Sequence, residues 1–273
     1  MNHTRRSRRW LLALCLLPFG LSAAPLFDVH LHYSAADARA MNPQAIISRL
    51  DHNRIRYAVV TGTPSAHTLA LHRHAPDRII PLLGIYRSHA DKIPWPHDDT
   101  LPARLETQLK QGHWRGIGEL HIFAQDRHST VLRRVVELAA QYRLPLQLHA
   151  DPAVIDRIYD IAPRQTVIWA HAGTYPYPDL IADYLQRYPA LYVDLSMRDG
   201  RIAPGGHLDE AWYELFIRHP ERFMVGVDTY SLPRWQEFDS AVATLRAWLA
   251  QLPDDIAAKL AYDNAARLFK KAP

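Results

Sequence analysis

From Leu26 onward the chain alternates short apolar runs with longer amphipathic stretches eight times over, and few folds accept that rhythm. The apolar runs are Leu26–Leu31, Tyr57–Thr61, Ile79–Ile85, Gly116–His121, Pro145–His149, Val167–His171, Leu191–Leu195 and Phe223–Asp228. Between them lie Pro43–His52, Ser65–His74, Leu101–Gln111, Thr130–Tyr142, Pro152–Ile161, Pro178–Tyr188, Asp209–Arg218 and Arg234–Ala250. Apolar residues in these longer stretches recur at helical spacing, as at Val131, Val135, Leu138 and Ala139. Several begin beside Pro, Ser, Thr or Asp, the residues that open helices. Eight strand–helix units in series predict an α/β fold, a (β/α)8 TIM-type barrel, with an open doubly wound sheet as the structural alternative.

The first residues read differently. Arg5, Arg6, Arg8 and Arg9 precede the apolar run Trp10–Leu21 and a stretch of small residues, the layout of a signal peptide. Ser7-Arg8-Arg9-Trp10-Leu11-Leu12 is compatible with twin-arginine export and equally with an ordinary Sec signal. Pro25 would hinder cleavage immediately before it, so the expected cut follows Ala23, with a retained N-terminal anchor as the lesser expectation. The division is then a signal peptide over 1–23 and a single barrel domain over 24–273, in a periplasmic or secreted protein free of the membrane after cleavage. Of 32 Lys+Arg and 28 Asp+Glu, four arginines and no acid fall in the leader, so the remainder carries 28 of each sign. That balance leaves no basic footprint for nucleic acid. The single cysteine, Cys15, departs with the leader, which excludes a disulfide framework and a thiol nucleophile. A small molecule is the expected partner; homo-oligomerisation is left open.

Chemistry concentrates where the apolar runs end. On a strand, residues i and i+2 share a side, so His30 and His32 should project together, with Phe27, Val29 and Leu31 facing away. Two imidazoles fixed side by side make half of a metal site. The fourth run supplies Glu119 and His121, the fifth His149, the sixth His171 and the eighth Asp228. Each follows apolar residues, where an unpaired charge is costly, and in a barrel all five ends lie on one face. By contrast His72 and His74 share the i, i+2 spacing on a helix, where such residues diverge. His52, His67, His89, His97, His113, His128 and His219 fall on helices or loops and read as solvated.

With these residues in view, the chain resembles the amidohydrolase superfamily, in its amidohydrolase-related branch of metal-dependent hydrolases and some decarboxylases. The resemblance rests on His30-Leu31-His32, His149, His171 and Asp228, with Asn264-Ala265-Ala266-Arg267-Leu268-Phe269 similar to that branch's terminal helix. It implies that His30, His32, His149 and Asp228 hold or contact a divalent ion, zinc first, and that His171 is a further ligand or polarises the substrate. Glu119 stands where some members bridge two ions; a carboxylate hydrogen-bonded to a ligand histidine is the other reading, so one or two ions remain open.

Histidine and carboxylate ligands with an open position describe a catalytic site. Asp228 is the candidate base and His171 the candidate for stabilising an oxyanion. Arg87 and Arg198 are candidates for meeting a substrate carboxylate or phosphate, and Tyr175 for an aromatic wall. Asp194 and Ser196 either orient ligands or satisfy backbone groups. The long connections Tyr86–Thr100 and Met197–His207 suggest lids or substrate loops. The expected function is metal-dependent hydrolysis of a small amide, lactone or ester. The alternatives are single-metal non-oxidative decarboxylation and a non-catalytic periplasmic ligand-binding barrel. Neutral charge argues against the superfamily's nuclease branch.

Overall fold

A computed structural model describes residues 24–270; the leader, its cleavage point and Cys15 lie outside the described residues. The strands are β1 (Leu26–His32), β2 (Ile55–Thr61), β3 (Ile79–Leu82), β4 (Ile117–Ile122), β5 (Leu146–Ala150), β6 (Val167–Trp169), β7 (Leu191–Asp194) and β8 (Phe223–Met224). Every paired neighbour is parallel, in two arcs, β1-β2-β3 and β4 through β8. Backbone hydrogen bonds cross both seams. Leu83 and Gly118 link the β3 edge to β4 through Leu83 N to Gly116 O (2.9 Å) and Gly118 N to Leu83 O (3.1 Å). Val29 N to Val225 O (3.0 Å) and Asp228 N to His30 O (2.7 Å) link β8 to β1. The eight strands therefore form the ring of a (β/α)8 barrel.

The outer layer comprises α1 (Ala35–Ala40), α2 (Pro43–His52), α3 (Ala66–His74), α4 (Leu101–Leu109), α5 (Thr130–Gln141), α6 (Pro152–Ile161) and α7 (Pro178–Arg187). It continues with α8 (Asp199–Ile202), α9 (Glu210–Arg218), α10 (Leu232–Gln236), α11 (Phe238–Leu249), α12 (Asp254–Ala258) and α13 (Asn264–Lys270). The predicted helix Arg234–Ala250 is thus two helices meeting at Glu237, the first started by Ser231, whose hydroxyl accepts from Arg234 N. The buried face of α5 is the predicted one, with Val131, Val135, Leu138 and Ala139 at 2% exposure or less.

A second apolar cluster fills the barrel. Phe27, Val29, Val59, Leu82, Ile168 and Met224 meet there, closed by Ala265 and Phe269 of α13. Placing Phe27 and Val29 in this interior corrects the expectation that they face away from the histidines. The β1–β2 register shifts between Asp28 and Leu31, so strict alternation fails at Val29-His30. Only Leu31 joins the helix-facing core. Asn264, buried at the start of α13, donates to the carbonyls of Pro220 and Phe223 at 2.8 Å each, tying the terminal helix beneath β8. Among the described residues, no helix is long and apolar enough to cross a membrane.

Candidate metal centre

Among the strands that end earlier than the sequence suggests, β6 and β8 matter here. β6 stops at Trp169, so His171 is not its last residue; it stands in a tight turn with φ 59°, followed by Ala172 at φ 53° and Gly173 at φ 77°. The ladder of β8 stops at Met224, and Asp228 adopts φ 56° beyond it. Left-handed backbone is unfavourable for residues with a Cβ and persists where surrounding contacts enforce it. Arg198 does so at the first turn, donating from Nε to His171 O (2.6 Å) and from Nη2 to Gly173 O (3.1 Å). Gly173 is required twice over, because a Cβ there would lie 2.5 Å from the Trp169 ring. At β8, a Cβ on Gly226 would stand 2.9 Å from His30 Cβ, so only glycine lets that segment close on β1.

These backbones turn six side chains toward one point. Glu119, 2% exposed, is the centre. Its Oε1 lies 3.1 Å from His171 Nε2 and 3.6 Å from His149 Nδ1. Its Oε2 lies 3.6 Å from His30 Nε2, 3.5 Å from His32 Nε2 and 3.5 Å from His121 Nε2. Asp228 Oδ1 is 3.2 Å from His32 Nε2 and 3.7 Å from His30 Nε2, while Oδ2 is 3.7 Å from His171 Nε2. Three groupings bring ligand atoms within 4.8 Å of one another: His30-His32-Asp228, Glu119-His121-His149, and His30-Glu119-His171 joining them.

The donor set fits divalent ions. His30 Nε2 and His32 Nε2 face each other at 3.2 Å, and Asp228 Oδ1 is buried without a hydrogen bond of acceptable geometry. Ring tautomers are set from behind. Asp194 Oδ2 accepts a hydrogen bond from His30 Nδ1–H at 2.6 Å, and Ser196 O faces His171 Nδ1 at 3.1 Å, leaving both Nε2 atoms directed inward. Asp194 and Ser196, left undecided by the sequence, are therefore positioning residues, with Ser196 N and Oγ also donating to Asp194.

Electrostatics tie the cluster together. Burial alone would lower the His30 pKa, but Asp228, Glu119 and Asp194 outweigh it and hold it well above the ordinary value. Burial alone would raise Glu119, yet His30, His149 and His171 hold it well below the carboxylate range. Asp228, raised by burial, is pulled down to about 2 by His30 and His32. In the metal-free protein these carboxylates favour a proton on His30, which an incoming ion would displace. Zinc titrated calorimetrically at pH 7, in two buffers of different protonation heat, should release about one proton or more per chain. Affinity should rise with pH across this range; heats independent of buffer would show that His30 is already neutral.

The predicted specificity residues fare differently. Arg87 sits on the wall of the neighbouring cavity with its guanidinium on both oxygens of Asp91, at 3.1 and 3.2 Å. Arg198 is occupied by the His171 turn. Both guanidinium groups expected to meet a substrate carboxylate or phosphate are thus already engaged within the chain. Tyr175 lies outside both cavities at the site, 54% exposed. Tyr86 and Tyr230 line the site instead, and so does Lys92. Tyr230, two residues past Asp228, had a positional signal; Tyr86 and Lys92 lie in the Tyr86–Thr100 connection expected to form a lid or substrate loop, but no local pattern distinguishes them within it, because that β3–α4 connection must fold inward to bring them here. Trp95 anchors that connection, donating from Nε1 to His121 O at 2.7 Å.

Comparison with known proteins gives one family match and several likenesses of fold. The sequence model of one family, described as Amidohydrolase, matches residues 27–271. None of the curated proteins compared with the chain matches it. Among solved structures, a putative 2-pyrone-4,6-dicarboxylic acid hydrolase from Pseudomonas putida is 17% identical, with TM-score 0.66, covering 91% of this chain and 99% of its own. A TatD homologue from Escherichia coli K12 is 18% identical, with TM-score 0.63 and coverages of 91% and 98%. A Burkholderia multivorans amidohydrolase with bound zinc is 15% identical, with TM-score 0.58 and coverages of 90% and 99%. At these identities the structural likenesses establish the fold.

Proposed function

The chain belongs to the amidohydrolase family and is a metal-dependent hydrolase, and we propose that it opens an amide, lactone or ester bond of a small molecule at a two-ion site, zinc being the first candidate. The observation that carries this reading is the position of Glu119, between the His30-His32-Asp228 and Glu119-His121-His149 groups and within 3.6 Å of five imidazoles. In this reading His30, His32 and Asp228 would hold one ion and His121, His149 and His171 would serve the other, with Glu119 available to both. Bound ions would polarise the scissile carbonyl and acidify a water.

The chain's own residues do the rest. In the metal-free chain His30 and His32 hold the Asp228 pKa at about 2 against its burial, and a bound cation would favour the ionised carboxylate in the same way. It is therefore free to receive the proton of the attacking water. A carboxyl that acidic keeps the proton only briefly and passes it to the leaving oxygen or nitrogen. Asp194 and Ser196 hold the His30 and His171 rings in register throughout, so no side chain need reorganise as charge develops.

The test is chelation followed by reconstitution. Purified protein stripped with a chelator should lose hydrolysis of a panel of lactones, esters and amides and regain it with zinc. Activity unaffected by complete metal removal would refute the reading.

A further inference from the structure

Among the described residues that line this cleft, Lys92 is a cation without a carboxylate partner. It ends the turn His89–Lys92 in the β3–α4 connection and is half-buried. It lines both the cavity of about 380 Å³ that opens over His32, Tyr86 and Arg87 and the recess of about 290 Å³ that holds Glu119, His149, His171 and Asp228. Lys110 and Lys259 pair with Glu106 and Glu221, whereas Lys92 has no carboxylate partner among the described residues. Its Nζ rests 3.4 Å from His121 Nε2. Arg87 is neutralised by Asp91, and Arg198 is spent on the carbonyls of His171 and Gly173.

A part-buried ammonium without a counter-ion favours a ligand that brings one, and the bond so formed is charge-assisted. Glu119 is already matched by five imidazoles within 3.6 Å and makes no ion pair with Lys92. Resting on the hydrolase reading above, we propose that Lys92 binds a carboxylate of the substrate, which makes the substrates small carboxylate-bearing lactones, esters or amides. The reacting carbonyl then lies in the recess beside Glu119 and Asp228, and the carboxylate lies against Lys92 in the cavity beyond. Lys92, unlike the two arginines, spans both spaces. The turn also places it on a connection rather than in the barrel wall, so the contact can be varied without disturbing the strands.

Glutarate, a non-reacting dicarboxylate, probes this directly. Calorimetric titration into the zinc-loaded full chain should give a Kd at least about tenfold weaker for Lys92→Gln than for the parent protein. Lys92→Arg, which keeps the charge, should stay within about threefold of the parent, as expected of a charge-dominated contact. Equal affinities for the parent and Lys92→Gln, an Arg variant as weak as the Gln variant, or no glutarate binding to the parent would each overturn the assignment. Zinc content and panel turnover of the same preparations separate the two readings. Metal-dependent turnover with glutarate affinity indifferent to Lys92 removes the carboxylate assignment alone. Turnover independent of metal removes the hydrolase mechanism, while the glutarate comparison still reports on Lys92.

Discussion

Asp228→Asn is expected to keep most of its metal and to lose turnover by about 10²-fold or more, the scale of a missing acid–base group. Asparagine matches aspartate in shape, and its carbonyl oxygen can still face His32 Nε2, which Asp228 Oδ1 approaches at 3.2 Å. His30 and His32 are untouched, and Asp194 still orients the first of them. What disappears is the ability to receive a proton. Metal binding and proton acceptance are thus read separately in this variant. Metal analysis beside kcat on any substrate found in the panel decides the matter. Near-normal turnover in the asparagine variant would rule out Asp228 as the proton acceptor.

Glu119→Gln should be worse, because it strikes the centre. A neutral amide bridges two cations poorly, so metal content should fall from about two ions per chain toward one, and turnover should fall with it. The same change withdraws the negative charge that helps keep His30 protonated in the metal-free protein. Zinc uptake by the variant should therefore release fewer protons than uptake by the parent. This second readout separates a lost bridge from a merely loosened fold. A parent protein holding a single ion, with the same content in Glu119→Gln, would eliminate the two-ion site and bring the single-metal decarboxylase reading forward. Export with cleavage after Ala23 is a separate proposal, resting on the arginine cluster and apolar run, and N-terminal sequencing of the secreted or periplasmic protein would test it.

The strand-end residues were legible because their signal is local. An apolar run that closes on His, Glu or Asp announces a buried polar group, and five such endings in a barrel must share a face. His121 was read as lying beside Glu119 but was not counted as a ligand; its ring stacks on His149 at 4.8 Å between centroids and belongs to the cluster. Arg87 and Arg198 were read from position alone, and position is silent about occupancy. Their guanidinium groups are already engaged, one by Asp91 four residues on and the other by carbonyls reached across the top of the barrel.

By itself, then, the sequence determined the alternation that builds the barrel and the kinds of ligand at its rim, since periodicity and strand ends depend on neighbours within a few residues. Tertiary structure decided the rest. Which nitrogen of His30 faces inward depends on Asp194, 164 positions away, and the approach of His171 depends on a left-handed turn clamped by Arg198. The β1 bulge sends Phe27 and Val29 into the barrel interior, and the fold of the β3–α4 connection brings Lys92 to the cleft. Each of these contacts forms only when the ring closes and its register is set, and no local pattern encodes a register between strands so far apart in the chain.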